Sequence, residues 1–174
     1  SPCDFIPIAE ASGLIVDLGM FVMREAARQC AEWSRQGRLI GVSINVAAGQ
    51  VARPDFAEKV LEIINLNDCP PTLVTIEITE TMAHGNNNRF IEQLYRLRAA
   101  GLKLAIDDFG IGYSNLAHLA ELDFDTLKID RSLISNLETS SRTVEVCRAI
   151  VSLGKALGCK VVAEGVETPG QAAT

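Results

Sequence analysis

Leu102-Lys-Leu-Ala-Ile-Asp-Asp-Phe-Gly-Ile-Gly-Tyr113 sets the reading of the whole chain. Leu102, Leu104 and Ile106 alternate with Lys103, Ala105 and Asp107, the period of two that belongs to a β-strand. The run leaves on two adjacent carboxylates, Asp107 and Asp108, and passes at once into a glycine-bearing loop. Like charges this close repel unless a cation lies between them, and a divalent metal is the usual cation. The same design, an aliphatic run that exits on a polar residue and precedes a helical segment, recurs along the chain.

Working outward, strands are expected at Leu39–Val46, Leu73–Ile78, Leu102–Asp107, Thr126–Ile129 and Lys160–Glu164. Helices are expected at Asp55–Asn65, Asn88–Ala100, Ser114–Glu121 and Arg142–Leu157, with Gly101 and Gly158 as natural stops and Asn86, Asn87 or Asn88 as a cap. Before the first strand, Leu14–Arg35 carries helical periodicity and ends at Gly37. Strands alternating with helices imply a parallel sheet with crossover helices. On each strand one face is aliphatic, while the other ends in Asn45, Glu77, Asp107, Lys128 or Glu164. Polar groups at the C-terminal ends of successive strands are the mark of a TIM-like (β/α) barrel. A doubly wound open sheet is the competing fold, but it gathers its ligand groups at one switch point.

The chain has 174 residues, 48% of them hydrophobic, enough for a single domain with a substantial core. No apolar run is long enough for a membrane helix, and no signal-peptide pattern opens the chain. Five widely spaced cysteines without a Cys-x-x-Cys pair, and only two histidines, argue against zinc. They read as reduced thiols in a cytoplasmic protein. A net charge of -6 disfavours a nonspecific binder of nucleic acid polymers. It leaves room for a phosphate ligand, because bound metal reverses the local sign.

Asn45, Glu77 and Asp107 offer hard oxygen ligands suited to magnesium or manganese. Asp108 reaches the face of Asp107 only if the backbone turns there, which the neighbouring glycines favour; Asp107 could then bridge two metals. Lys128 suits a water or a phosphoryl oxygen, and Glu164 a proton taken from an attacking water. Taken singly, each has a plainer reading. Glu77 is a solvated strand end, Lys128 a salt-bridge partner, Asn45 a turn residue, and one Asp of the pair a helix cap. Five such accidents on one face of five successive strands are improbable together. His84 and His118 lack ligand partners, and Trp33 falls in a helical apolar pattern. Arg24, Arg28, Arg35 and Arg38 read as solvated, and Gly110-x-Gly112 lacks the third glycine of a dinucleotide fingerprint.

Phe5-Ile-Pro-Ile-Ala-Glu10, Ser43-Ile-Asn-Val46, Ile76-Glu-Ile-Thr-Glu80, Asp107-Asp-Phe-Gly110, Leu127-Lys-Ile-Asp-Arg131 and Val162-Ala-Glu-Gly-Val-Glu-Thr168 resemble, in order, the motifs of the EAL domain. The resemblance implies a modified βα barrel that hydrolyses cyclic di-GMP to linear pGpG with magnesium or manganese. It implies that Asn45, Glu77 and Asp107 hold a first metal, and that Asp107 and Asp108 serve a second. Lys128 would contact the water, Glu164 would act as or support the general base, and Glu80 would anchor the loop after Asp108. Against the family pattern the chain is expected to be a single partial EAL domain over residues 1–174. It lacks the N-terminal strands with the Glu-Ala-Leu motif and the C-terminal strand, and about five of eight barrel strands are present. Ile111 stands where a threonine is usual and Ala47 where a serine is common. These departures imply weak or absent turnover, and unpaired sheet edges imply a homodimer or other self-association. A catalytically inactive EAL-like module that binds cyclic di-GMP or regulates a partner is the alternative. An unrelated metal-dependent barrel lyase would share the carboxylates but not the ordered motifs.

Overall fold

The computed structural model describes residues 1–83, 88–112 and 122–174. The expected helix at Ser114–Glu121, the caps Asn86 and Asn87, and both histidines lie outside the described residues. In chain order the elements are α1 (Pro2–Ser12), α2 (Ile15–Arg35), β1 (Val42–Asn45), α3 (Ala48–Val51) and α4 (Phe56–Leu66). A 3-10 turn (Pro71–Leu73) leads into β2 (Val74–Thr79), α5 (Glu80–Ala83), α6 (Asn88–Ala99) and β3 (Lys103–Phe109). Then come β4 (Thr126–Ile129), α7 (Arg131–Ser135), α8 (Ser141–Leu157), β5 (Lys160–Ala163) and α9 (Pro169–Ala173).

The strands run in the order β1-β2-β3-β4-β5, and the pairs β1/β2, β3/β4 and β4/β5 are parallel. An order that never reverses has no switch point, so the doubly wound alternative is set aside. All five expected strands form. The first begins three residues later than expected, because Leu39 and Ile40 stay exposed outside the ladder. The third runs on through Asp108 to Phe109. Helix α1 extends the helical amino-terminal third ahead of the Leu14–Arg35 segment and carries Pro7 inside it, where proline is normally disfavoured.

By contact the chain divides into two compact units, Ser1–Glu77 with Asn86–Lys103, and Ile78–Gly85 with Leu104–Thr174. In the first unit, α4 buries Phe56, Ala57, Val60, Ile63 and Ile64, the stripe of an amphipathic helix. It packs between α2, which buries Met23, Ala27, Cys30 and Ala31, and α6, which buries Phe90, Leu94 and Leu97. Gln93 ties α6 to the start of α4: its Oε1 accepts from Ala57 N at 2.8 Å and its Nε2 donates to Pro54 O at 3.2 Å. In the second unit α8 lies on β4 and β5. Its Gly154 is needed there, because a Cβ at that position would overlap Val161 Cγ2. Ser140 caps α8 by accepting from Thr143 N, and Gly158 ends it in the left-handed region at φ 72°.

Candidate active site

The second unit carries most of the expected site. On β3, Ile106 pairs with Leu127 of β4 and Phe109 pairs with Ile129, so Asp107 and Asp108 together face the single residue Lys128. Two residues opposite one is a β-bulge, a device that re-aims side chains. Asp108 takes φ 55°, in the left-handed region where Asp is among the better tolerated non-glycine residues. Its N–H donates to Asp107 Oδ1 at 3.0 Å. This is the backbone turn that both carboxylates require to act at one place.

Lys128 sits between two of the acids. Its Nζ lies 3.0 Å from Asp107 Oδ1 and 2.7 Å from Glu164 Oε1. Lys128 and Asp107 are each nearly buried, at 14% and 13% side-chain exposure, so solvent screens their attraction only partly. Glu164 follows β5 directly, and its N–H donates to Ile129 O at 3.1 Å, which fixes the strand exit. Burial pushes the Asp108 carboxyl above its ordinary range; Asp107, Asp130 and Glu164 push the same way, and Lys128 pulls against them. Asp130 is a member of this cluster that sequence reasoning missed. Burial acts to raise it too, but hydrogen bonds from Ser132, from the Arg131 backbone and from the Asp108 carboxyl hold it below the usual range. Its Oδ1 accepts from Ser132 N at 2.7 Å and so caps α7. The signal for it was present, since Asp130 is one more acid at the exit of a strand.

Glu80 opens α5 and is buried. Its Oε2 accepts from Gly110 N at 2.9 Å and from Gly112 N at 3.2 Å, so one carboxylate oxygen gathers the loop that follows Asp108. A Cβ at Gly112 would lie 3.3 Å from the Glu80 carboxyl carbon, and one at Gly110 2.6 Å from Leu133 Cδ1. Gly110 is set by its left-handed φ of 103°, and Gly112 leaves little room beside the Glu80 carboxylate. Ile111, between them, is exposed, and the main chain on either side of it is held by Glu80.

In the first unit Asn45 and Glu77 are register partners across β1 and β2, and Val46 N donates to Glu77 O at 3.1 Å. Asn45 is exposed, while Glu77 is buried. Ala47, at the cap of α3, has no side-chain acceptor, but its N–H donates to Gln50 Oε1 at 3.0 Å, half of a capping box. Among the described residues no three His, Cys, Asp or Glu side chains come together closely enough to enclose a metal ion. The structure thus brings Asp107, Asp108, Lys128, Glu164 and Asp130 together in one unit, and pairs Asn45 with Glu77 in the other.

The EAL domain family model matches residues 1–174. The chain belongs to the EAL domain family. It is 39% identical over 173 residues to the cyclic di-GMP phosphodiesterase NbdA of Pseudomonas aeruginosa, covering 99% of this chain and 22% of that protein. The solved structure of the PaMucR phosphodiesterase in complex with c-di-GMP superposes with a TM-score of 0.94 at 38% identity, covering 98% of this chain and 70% of that one. The manganese/cy-diGMP complex of Klebsiella pneumoniae BlrP1 gives a TM-score of 0.79 at 30% identity, covering 90% of this chain and 40% of that one. The chain spans about a quarter of the length of curated relatives such as these, 22% for NbdA and 29% for the cyclic di-GMP phosphodiesterase PA2567 of the same organism. Its parallel sheet is that of the EAL-type β/α barrel, with the polar strand exits where such barrels place their chemistry.

Proposed function

We propose that this chain is the phosphodiesterase part of an EAL protein that hydrolyses cyclic di-GMP to linear pGpG by metal-assisted attack of water. The observation that carries the reading is the bulge that sets Asp107 and Asp108 together opposite Lys128. Burial raises Asp108 first and the neighbouring acids Asp107, Asp130 and Glu164 add to it; a divalent cation would relieve that crowding, and oxygen donors suit magnesium or manganese. Asp107 and Asp108 would hold such an ion, with Asn45, Glu77 and Asp107 as the ligands of the other. When bound, the ions offset the charge of the phosphodiester and acidify the attacking water. Glu164 takes the proton of that water, and Lys128, already 2.7 Å from Glu164, orients the water toward phosphorus. Glu80 keeps the loop after Asp108 in place and so holds the second aspartate at its angle. A protein of net charge -6 has little means other than cations to accept a doubly anionic dinucleotide.

The second reading is an EAL-like module that binds cyclic di-GMP, or a regulatory partner, without turning it over. Its support is Lys128, whose ammonium pairs with both Asp107 and Glu164, together with Ile111 in the loop. Incubation with cyclic di-GMP and manganese, resolved by chromatography, separates the two. Release of pGpG that is lost in Asp107→Asn and Glu164→Gln supports the enzyme. Tight calorimetric binding in EDTA with the nucleotide left intact supports the module. We further infer self-association and a cytoplasmic location; no helix among the described residues is long and apolar enough to cross a membrane.

A further inference from the structure

We propose that Gln50 is a positioning residue: its buried side-chain amide, seated in the gap that Gly19 leaves in α2, sets the exit of β1 and with it the placing of Asn45. The inference rests on the assignment of Asn45 to the reaction proposed above and deepens it. Asn45 is exposed at the last position of β1 and is the register partner of Glu77 on β2. Two backbone N–H groups follow it, and each is held by a different acceptor. Val46 N donates to Glu77 O at 3.1 Å, which continues the ladder. Ala47 N donates to Gln50 Oε1 at 3.0 Å, which ends it. One side-chain oxygen thus holds the turn from β1 into α3, two residues beyond Asn45.

The seat of that oxygen is built by another element. Gln50 is only 2% exposed, and a Cβ at Gly19 would overlap its Nε2, Cδ and Oε1. Gly19 lies inside α2, where alanine is the better helix former, so the amide is what the glycine makes room for. Beside it, a Cβ at Gly49 would come within 3.8 Å of Ile15 Cγ2, so α3 rests on the first turn of α2. The same amide carries a fault: Gln50 Nε2 is buried with no hydrogen-bond partner among the described residues. Exchanging N and O in the amide does not cure it, because Ala47 N needs an acceptor at that place. A buried donor left unpaired destabilises the fold. Methionine would fill the same seat without one, and the half-buried Ala47 could turn its N–H to water. Stability alone therefore gives little reason for glutamine. What the amide alone supplies is the acceptor that fixes the chain after Asn45, and local rules broken in this way mark functional sites.

The test compares the native chain with Gln50→Met, Gly19→Ala and the double variant Gly19→Ala/Gln50→Ala. Thermal melting, amide exchange and NMR of the Asn45 side-chain amide are read first, and hydrolysis of cyclic di-GMP with manganese second. Gln50→Met keeps its melting midpoint, while Ala47 N–H exchanges about fivefold faster, the worth of one hydrogen bond, and the Asn45 resonance moves. Gly19→Ala drives the amide from its seat, so it moves the same resonance and melts lower. The double variant has no overlap and melts above Gly19→Ala, yet its Asn45 resonance stays displaced. A displaced asparagine lowers kcat about ten- to a hundredfold with little change in KM. An unmoved Asn45 resonance and unchanged Ala47 exchange in Gln50→Met overturn the proposal. So does a resonance that returns to its native position in the double variant, because overlap alone then caused the shift. A lowered Gln50→Met midpoint with faster exchange throughout α2 and α3 also overturns it, and makes Gln50 a packing residue. No pGpG from the native chain, with Asn45 displaced in the variants, overturns the assigned reaction and leaves the positioning standing.

Discussion

Glu80 shows how much one side chain can hold. Its buried Oε2 receives two loop N–H groups, Gly110 and Gly112, and this bond pair tethers the segment that follows Asp108. Glu80→Ala leaves two amides to find other partners and is expected to cost about 2–3 kcal/mol, given ~1.5–3 kcal/mol for a hydrogen bond to a charged group. Glu80→Gln keeps an acceptor and loses less. Urea melts read the stability, and hydrogen exchange at residues 110–112 must accelerate more in Ala than in Gln; equal rates in the two would refute the tether. Asp108 gives a prediction of opposite sign. Its native carboxyl is raised above the ordinary 3.8, so the native state binds that proton more tightly than the unfolded chain does. Stability then falls as pH rises from 3.8 through the native value, and the loss persists above it. Asn removes the charge and tolerates the left-handed backbone. In EDTA, Asp108→Asn should therefore melt above the native chain at neutral pH, with the difference vanishing below pH 3.8. A difference that is constant with pH would place its cause elsewhere.

Period-two and period-3.6 patterns found all five strands and the long helices α2, α4, α6 and α8, because each buries one regular face. What they could not find were features set by a neighbouring element. Gln93 reads as a polar surface residue, yet it is buried and serves Ala57 N and Pro54 O, 36 and 39 residues away. Gln93→Leu preserves size and leaves both backbone groups stranded between α4 and α6. It should cost about 2 kcal/mol or more, measurable as a lowered denaturant midpoint; an unchanged midpoint would mean that water replaces the amide. Gly154 reads as a weak spot in α8, since glycine lowers helix propensity by ~1 kcal/mol relative to alanine. Packing reverses that expectation, because the β-branched Val161 stands where a Cβ would go. Gly154→Ala should destabilise by about 1–3 kcal/mol, the usual range for overpacking, instead of stabilising as propensity alone predicts. The sign of the change in thermal midpoint decides between the two.

Across the molecule, the clustering of the candidate residues was legible wherever strand alternation alone places a side chain, as for Asp107, Lys128 and Glu164. The turn at Asp108 was legible as a requirement, from the glycines beside it. The bulge that makes the turn depends on pairing with β4, and Asp130 looks like a helix cap because it is one. The same contrast governs the surface. Sheet edges at β1 and β5 were the expected origin of self-association, since each has a neighbour on one side in the sheet order. The structure adds a second source in the first unit. Helix α1 buries Ala9 alone, while Phe5, Ile8, Leu14 and Phe21 along α1 and α2 are 47%, 69%, 60% and 55% exposed. Large apolar side chains grouped on neighbouring helices mark association surfaces. Burial of such a side chain is worth about 1.5–3 kcal/mol, so a few of them suffice for a weak dimer. Sedimentation velocity should show an average mass that rises with concentration. Replacing Ile8 and Phe21 by Ser should lower that mass toward the monomer without lowering the melting temperature, as these residues contribute little to the folded core. Association that persists in the double variant would return the cause to the strand edges, where a lysine placed on β1 at Ser43 should then abolish it.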